Sequence, residues 1–152
     1  MDAARDFFLS FDGRLRRRDV WVAAFALAVA TAMAALVLLP LVGGRWASLA
    51  INAALVWPLL AIGAKRFKDW GRDSRPRLAV YLGPAILLTV LQQLAIGYYW
   101  RNGIAWPTGF WPNMLSFAAL LLGLVGAFEC FFMPGEHGRN RFGPDPRIPP
   151  ID

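Results

Sequence analysis

The chain alternates four long apolar stretches with short polar segments. The stretches run from Val20 to Val42, Trp46 to Ala64, Leu78 to Trp100 and Phe110 to Met133, and contain 23, 19, 23 and 24 residues. Glu129 is the one charged residue inside them. At about 1.5 Å rise per residue, roughly 20 residues cross a hydrocarbon layer of ~30 Å, so each stretch is long enough to span a bilayer as a helix. The pattern predicts an all-α fold, an integral membrane four-helix bundle. It forms one domain over residues 1–152, with a tail from 134 to 152.

Orientation follows from the cations, because Lys and Arg near a span resist translocation and collect on the cytoplasmic side. Arg5, Arg14, Arg16, Arg17 and Arg18 precede the first stretch; Lys65, Arg66, Lys68, Arg72, Arg75 and Arg77 separate the second from the third; Arg139, Arg141 and Arg147 follow the fourth. Fourteen of the 16 Lys and Arg residues thus lie in alternate segments, leaving Arg45 and Arg101 in the opposite two loops. Both termini are therefore expected in the cytoplasm, in agreement with an even number of spans. The apolar run continues through Leu36 to Val42 without a polar break, which suits a retained anchor better than a cleaved signal.

Composition adds little to this picture but excludes some functions. Hydrophobic residues make up 57% of the chain, and the net charge is +6. A basic excess lying against spans on one face points to anionic lipid headgroups, and no nucleic-acid recognition motif surrounds it. Cys130 is the only cysteine and His137 the only histidine, so no intrachain disulfide, cysteine-based metal cluster or convincing His-based triad can be assembled. No catalytic residue, metal or cofactor is expected.

Polar residues within the spans can be placed by depth. Asn52 shares a level with Gln92, so Asn52 is expected to meet Gln92 or Gln93 across the bundle. Glu129 lies about 6 Å from the inner end of its span, where Lys65 and Arg66 are the expected partners of a structural ion pair. Two ridges of small residues, Ala24, Ala28 and Ala32 on span one and Ala119, Gly123 and Ala127 on span four, mark expected packing seams. Trp46, Tyr98, Tyr99, Trp100, Trp106, Phe110 and Trp111 form an expected aromatic belt at the outer interface. Phe7, Phe8, Leu9 and Phe11 read as an interfacial segment on the opposite face.

Three charged motifs resemble those of the DUF805 family of bacterial membrane proteins. They are FDGRLRRRDVW, with Phe11, Gly13, Arg14, Arg17 and Trp21; AKRFKDWGRDS, from Ala64 to Ser74; and PGEHGRNRFGPDP, from Pro134 to Pro146. The middle motif departs from the family's common form at Lys68, where a His is usual, and at Arg75, where a Gly follows the Ser. The resemblance implies a small multi-pass protein of the bacterial inner membrane and no particular reaction.

Read physically, the motifs predict one cytoplasmic cap. Arg14, Arg17, Arg66, Asp69, Asn140, Arg141 and Asp145 are its candidate residues, with Arg66, Asn140 or Arg141 serving the orphan carbonyls where spans two and four end and Asp69, Asp73 and Asp145 supplying counter-charge. The tail is expected to fold back onto the loop between spans two and three. A structural, scaffold or accessory role, facing anionic lipid, a protein partner or a second copy of the chain, fits these features. A small oligomeric channel or transporter would need a path past Asn52, Gln92 and Glu129. A lipid-modifying enzyme would have only Asp69, His137 and Asp145 as acid or base candidates.

Overall fold

The structure is a computed structural model that describes residues 2–146, with side chains from residue 5 onward; Arg147 and the rest of the tail fall outside the described residues. It is mostly helical. A short helix α1 (Asp2–Leu9) leads to α2 (Arg17–Val42), α3 (Gly44–Asp69) and α4 (Ser74–Gln93), then a hairpin of β1 (Tyr98–Arg101) and β2 (Ile104–Pro107), and finally α5 (Phe110–Phe132). Three of these helices, α2, α3 and α5, are long and apolar enough to cross a membrane. Large apolar side chains cover their outsides: Phe25 is 73% exposed, Leu36 71% and Trp111 78%. Such a surface is what a lipid solvent requires, because burying it within the protein would gain nothing there.

The ends of the helices follow local chemistry. Gly43, with φ of 79°, closes α2 through its N–H to Leu39 O and starts α3 one residue later. Asp73 caps α4, its carboxylate accepting from Arg75 N at 3.1 Å. Pro58 and Pro84 lie inside α3 and α4, which continue through them. The third span differs from expectation, because the helix stops at Gln93 rather than at Trp100. Ala95 turns into the left-handed region with φ of 56°, and Ile96 N donates back to Leu91 O at 3.0 Å, a Schellman-type ending.

The residues beyond form strands, so the fold is not wholly helical. Asn102 and Gly103, with φ of 52° and 77°, make a two-residue turn of the I′ kind that matches strand twist. Tyr98 pairs with Pro107 and Arg101 with Ile104 in the antiparallel register. Tyr98 is buried, and its hydroxyl reaches Pro112 O at 2.9 Å and Ser116 Oγ at 3.0 Å, which seats the hairpin on the start of α5. Trp100 Nε1 donates to Gln92 O at 2.9 Å. The remaining belt residues Trp46, Tyr99, Trp106, Phe110 and Trp111 are exposed at this end.

The best-packed region lies at the opposite, charge-rich end. Leu15, Val20, Ala23 and Ile62 form its core, with Phe7, Phe8, Leu27, Cys130 and Phe131 packed against them. Phe7 and Phe8 therefore contribute to a protein core rather than lying wholly on an interface. The seams also differ from expectation. On α2 the ridge residues Ala28 and Ala32 are exposed, while Ala23 is fully buried. On α5 the close contact runs through Ala119 and Gly126, seven residues apart. A Cβ on Gly126 would stand 2.9 Å from Cβ of Tyr81, whereas one on Gly123 would meet nothing within 4 Å.

Candidate functional site

Sequence places Arg14 on the extended segment before α2, and Arg66 and Asp69 one turn apart on the last turn of α3. Spacing of i and i+3 puts those two on one helix face. The fold closes Arg14 over them. Arg14 Nη2 lies 2.9 Å and its Nε 3.0 Å from Asp69 Oδ1, while Arg66 Nη1 lies 2.6 Å from Asp69 Oδ2. One carboxylate thus sits between two guanidiniums. The side chains of Arg14, Arg66 and Asp69 are 1%, 0% and 4% exposed.

A second buried cation in so dry a place needs further compensation. Main-chain carbonyls provide it. Arg14 donates to Gly138 O and Glu136 O, both at 2.6 Å, and to Asp69 O at 3.3 Å. Arg66 donates to Cys130 O at 2.9 Å and to Met133 O at the end of α5. Helix C-termini carry orphan carbonyls and partial negative charge, so α3 and α5 both favour cations here. The planar fork of Arg, with its five donors, suits such multidirectional bonding better than Lys.

The tail locks over this cluster. Glu136 N donates to Asp69 O at 2.8 Å, and Asn140 Nδ2 donates to Lys68 O at 3.0 Å. Asp145 is buried and accepts from Gly138 N at 2.8 Å. Asn140 and Gly143 exchange both backbone bonds at 3.1 Å, which folds the tail into a tight turn. Gly135 admits no side chain, since a Cβ there would overlap Oδ2 of Asp69. Lys65 Nζ reaches Phe7 O at 2.9 Å and Lys68 Nζ reaches Phe11 O at 2.6 Å, tying the N-terminal segment to the same end of α3.

Of the residues read from sequence, Arg14, Arg66, Asp69, Asn140 and Asp145 meet in this assembly. Arg17 reaches the neighbouring Phe132 O at 3.3 Å. Arg141 stands outside, exposed and stacked 4.6 Å from the Phe142 ring centre. His137 is exposed. Two expected contacts are corrected. Asn52 donates to Ser48 Oγ on its own helix at 3.3 Å, while Gln92 and Gln93 join the hairpin and Arg45 at the far end, because α4 ends there. Glu129 pairs with Arg77 Nη1 at 2.6 Å rather than with Lys65 or Arg66, both of which are engaged by carbonyls. Arg77 precedes span three at the depth of Glu129, so the level of the two residues was a usable signal. The carbonyl-capping work of Lys65 and Lys68 and the close approach at Gly135 left no comparable trace.

Between α2, α3, α4 and α5 lies a cavity of about 180 Å³, lined by apolar residues and by Tyr81 and Cys130 as the only polar side chains. Among the described residues no group of acidic, His and Cys side chains is placed to hold a metal. Apolar outward faces, long helices and a polar knot at one end define a multi-pass membrane protein. The chain belongs to the DUF805 family, proteins of unknown function, whose profile matches residues 8–144. No curated protein and no solved structure matches it.

Proposed function

We propose that the chain is a four-span protein of the bacterial inner membrane with both termini in the cytoplasm. In this reading it acts as a structural, scaffold or accessory protein, and its basic cap contacts anionic headgroups or a protein partner. The division of labour among the cations carries the reading. Arg14, Lys65, Arg66, Lys68 and Arg77 are turned inward into bonds of the fold. Arg16, Arg18, Arg72, Arg75 and Arg139 are exposed at the same end. Each exposed cation at an anionic surface contributes about 1 kcal/mol of attraction.

Other features support the arrangement. Helix α4 has 20 residues, about 30 Å, and packs along both α3 and α5. Both oxygens of Asp69 are held by guanidiniums, which suits a fastening better than a catalytic base. The cavity between the helices has no charged lining, which favours the structural reading over an ion path.

Cysteine labelling in intact cells tests the topology. In a Cys130→Ser background, Asn102→Cys is expected to react with an impermeant maleimide from outside, and His137→Cys only after permeabilisation. The reverse pattern would sink the orientation. For the cap, replacing Arg16, Arg18, Arg75 and Arg139 together by Gln is expected to strip co-purifying phosphatidylglycerol. Undiminished retention would argue against a lipid-facing cap.

A further inference from the structure

A second polar feature lies beside the Arg14–Asp69–Arg66 cluster. Trp70, Arg72, Arg77, Glu129 and Glu136 line a cleft of about 360 Å³ between the α3–α4 turn, the end of α5 and the start of the tail. That volume is within the range of small-ligand sites. Two guanidiniums and two carboxylates give it charge of both signs and a balance near zero. Its groups are held in place. Arg77 lies 5.7 Å from the Phe67 ring centre and 5.8 Å from that of Trp70, and is fixed by Glu129 at 2.6 Å. Glu136 packs over Gly71, where a Cβ would overlap its Oε2, and it accepts from Asn140 Nδ2 at 3.2 Å. Trp70 Nε1 is buried without a hydrogen-bond partner among the described residues.

Two residues of the cleft have sequence neighbours that line the apolar space between the helices. Arg77 and Glu129 line the cleft, and their neighbours Leu78 and Cys130 line the cavity between the helices. An amphiphile with its head at this end of the bundle would bring its headgroup to the cleft and its chains to the exposed apolar faces of the helices. We propose that this cleft binds the headgroup of an ethanolamine phospholipid. The phosphate is held by Arg72 and Arg77, and the ammonium lies between Glu129 and Glu136. A glycerol headgroup would offer these carboxylates neutral hydroxyl donors and no positive charge, a weaker match than an ammonium. A choline headgroup has the positive charge but no N–H to donate, so the carboxylates would gain less from it.

The proposal rests on the membrane arrangement proposed above, which sets the cleft at headgroup depth. The test uses the full chain with Arg16, Arg18, Arg75 and Arg139 replaced by Gln, so that the cap no longer gathers phosphatidylglycerol. It is placed in nanodiscs holding equal amounts of phosphatidylethanolamine, phosphatidylglycerol and phosphatidylcholine of matched acyl chains, with the retained lipid read by native mass spectrometry. Phosphatidylethanolamine is expected to dominate. Glu136→Gln, at an exposed position, removes one charged partner of the ammonium and is expected to lower that preference about tenfold. Arg72→Gln weakens the phosphate contact common to the three lipids and is expected to lower retention of each, with the preference kept and the unfolding temperature unchanged.

Equal retention of the three lipids, preference for phosphatidylglycerol, or a preference that survives Glu136→Gln would overturn the assignment. An excess of soluble glycerophosphoethanolamine that displaces the lipid fully would instead make the site one for a free headgroup. Failure of the membrane arrangement is read separately, from the labelling of Asn102→Cys and His137→Cys.

Discussion

Replacing Asp69 by Asn is the sharpest probe of the charge cluster, because it removes one charge and almost no volume. In the native protein Oδ1 faces Arg14 at 2.9 Å and Oδ2 faces Arg66 at 2.6 Å. An amide offers an oxygen to one guanidinium and an NH₂ to the other, so donor meets donor on one side. Two buried cations then share only carbonyl dipoles. Removing one partner of a buried pair costs about 3–5 kcal/mol, which here falls on the attachment of the tail and the N-terminal segment to α3. Taking about 3 kcal/mol, the open population rises roughly a hundredfold.

Cys130 reports that opening without any engineered label. It is the chain's only thiol, its carbonyl accepts from Arg66 Nε at 2.9 Å, and its side chain packs against the core of this end. Its reaction with a maleimide follows the free energy of local opening. Asp69→Asn is therefore expected to speed labelling by about two orders of magnitude, while a cysteine placed at Asn102, at the hairpin end, keeps its native rate. Adding Arg66→Met removes the orphaned cation and is expected to recover part of the loss, since the two residues share one network. A labelling rate within about threefold of native for Asp69→Asn, in folded protein, would refute the view that this carboxylate holds the cap.

Other outcomes follow from single distances. Gly135→Ala drives a methyl into the fixed Asp69 carboxylate and is expected to cost about 1–3 kcal/mol of tail docking, seen as faster Cys130 labelling. Gly126→Leu, against Tyr81, is expected to separate α4 from α5 and lower the unfolding temperature, whereas Gly123→Ala, facing open space, leaves it unchanged. Glu129→Gln breaks a pair whose side chains are 18% and 21% exposed, and a loss of about 1 kcal/mol in thermal unfolding is expected. Gly44→Ala would press on Cα of Gly103, so it is expected to loosen the hairpin and raise the labelling rate of a cysteine at Asn102.

The parts of this protein that sequence makes visible are those governed by bulk solvent chemistry, and the parts it hides are set by single contacts. Span positions follow from apolarity, so α2, α3 and α5 lie close to where the pattern puts them. Span three is misjudged at Leu94 to Trp100 for the same reason, because apolarity cannot tell a helix from a hairpin seated in an aromatic belt. The Asn102–Gly103 pair was the local sign of that hairpin, and it outweighs seven apolar residues because two positive φ angles suit it. The cap was legible as a set of motifs, since helices ending together must find donors for their carbonyls. Which cation serves which partner was not legible, because Lys65, Arg66 and Lys68 crowd the last turns of α3 with Arg77 close behind on α4, and the direction in which each side chain leaves its backbone decides whether it meets a carbonyl or a carboxylate. In lipid the apolar faces supply little force for association, so those directions, together with the fit at Gly126 and Gly135, decide which helices stay together.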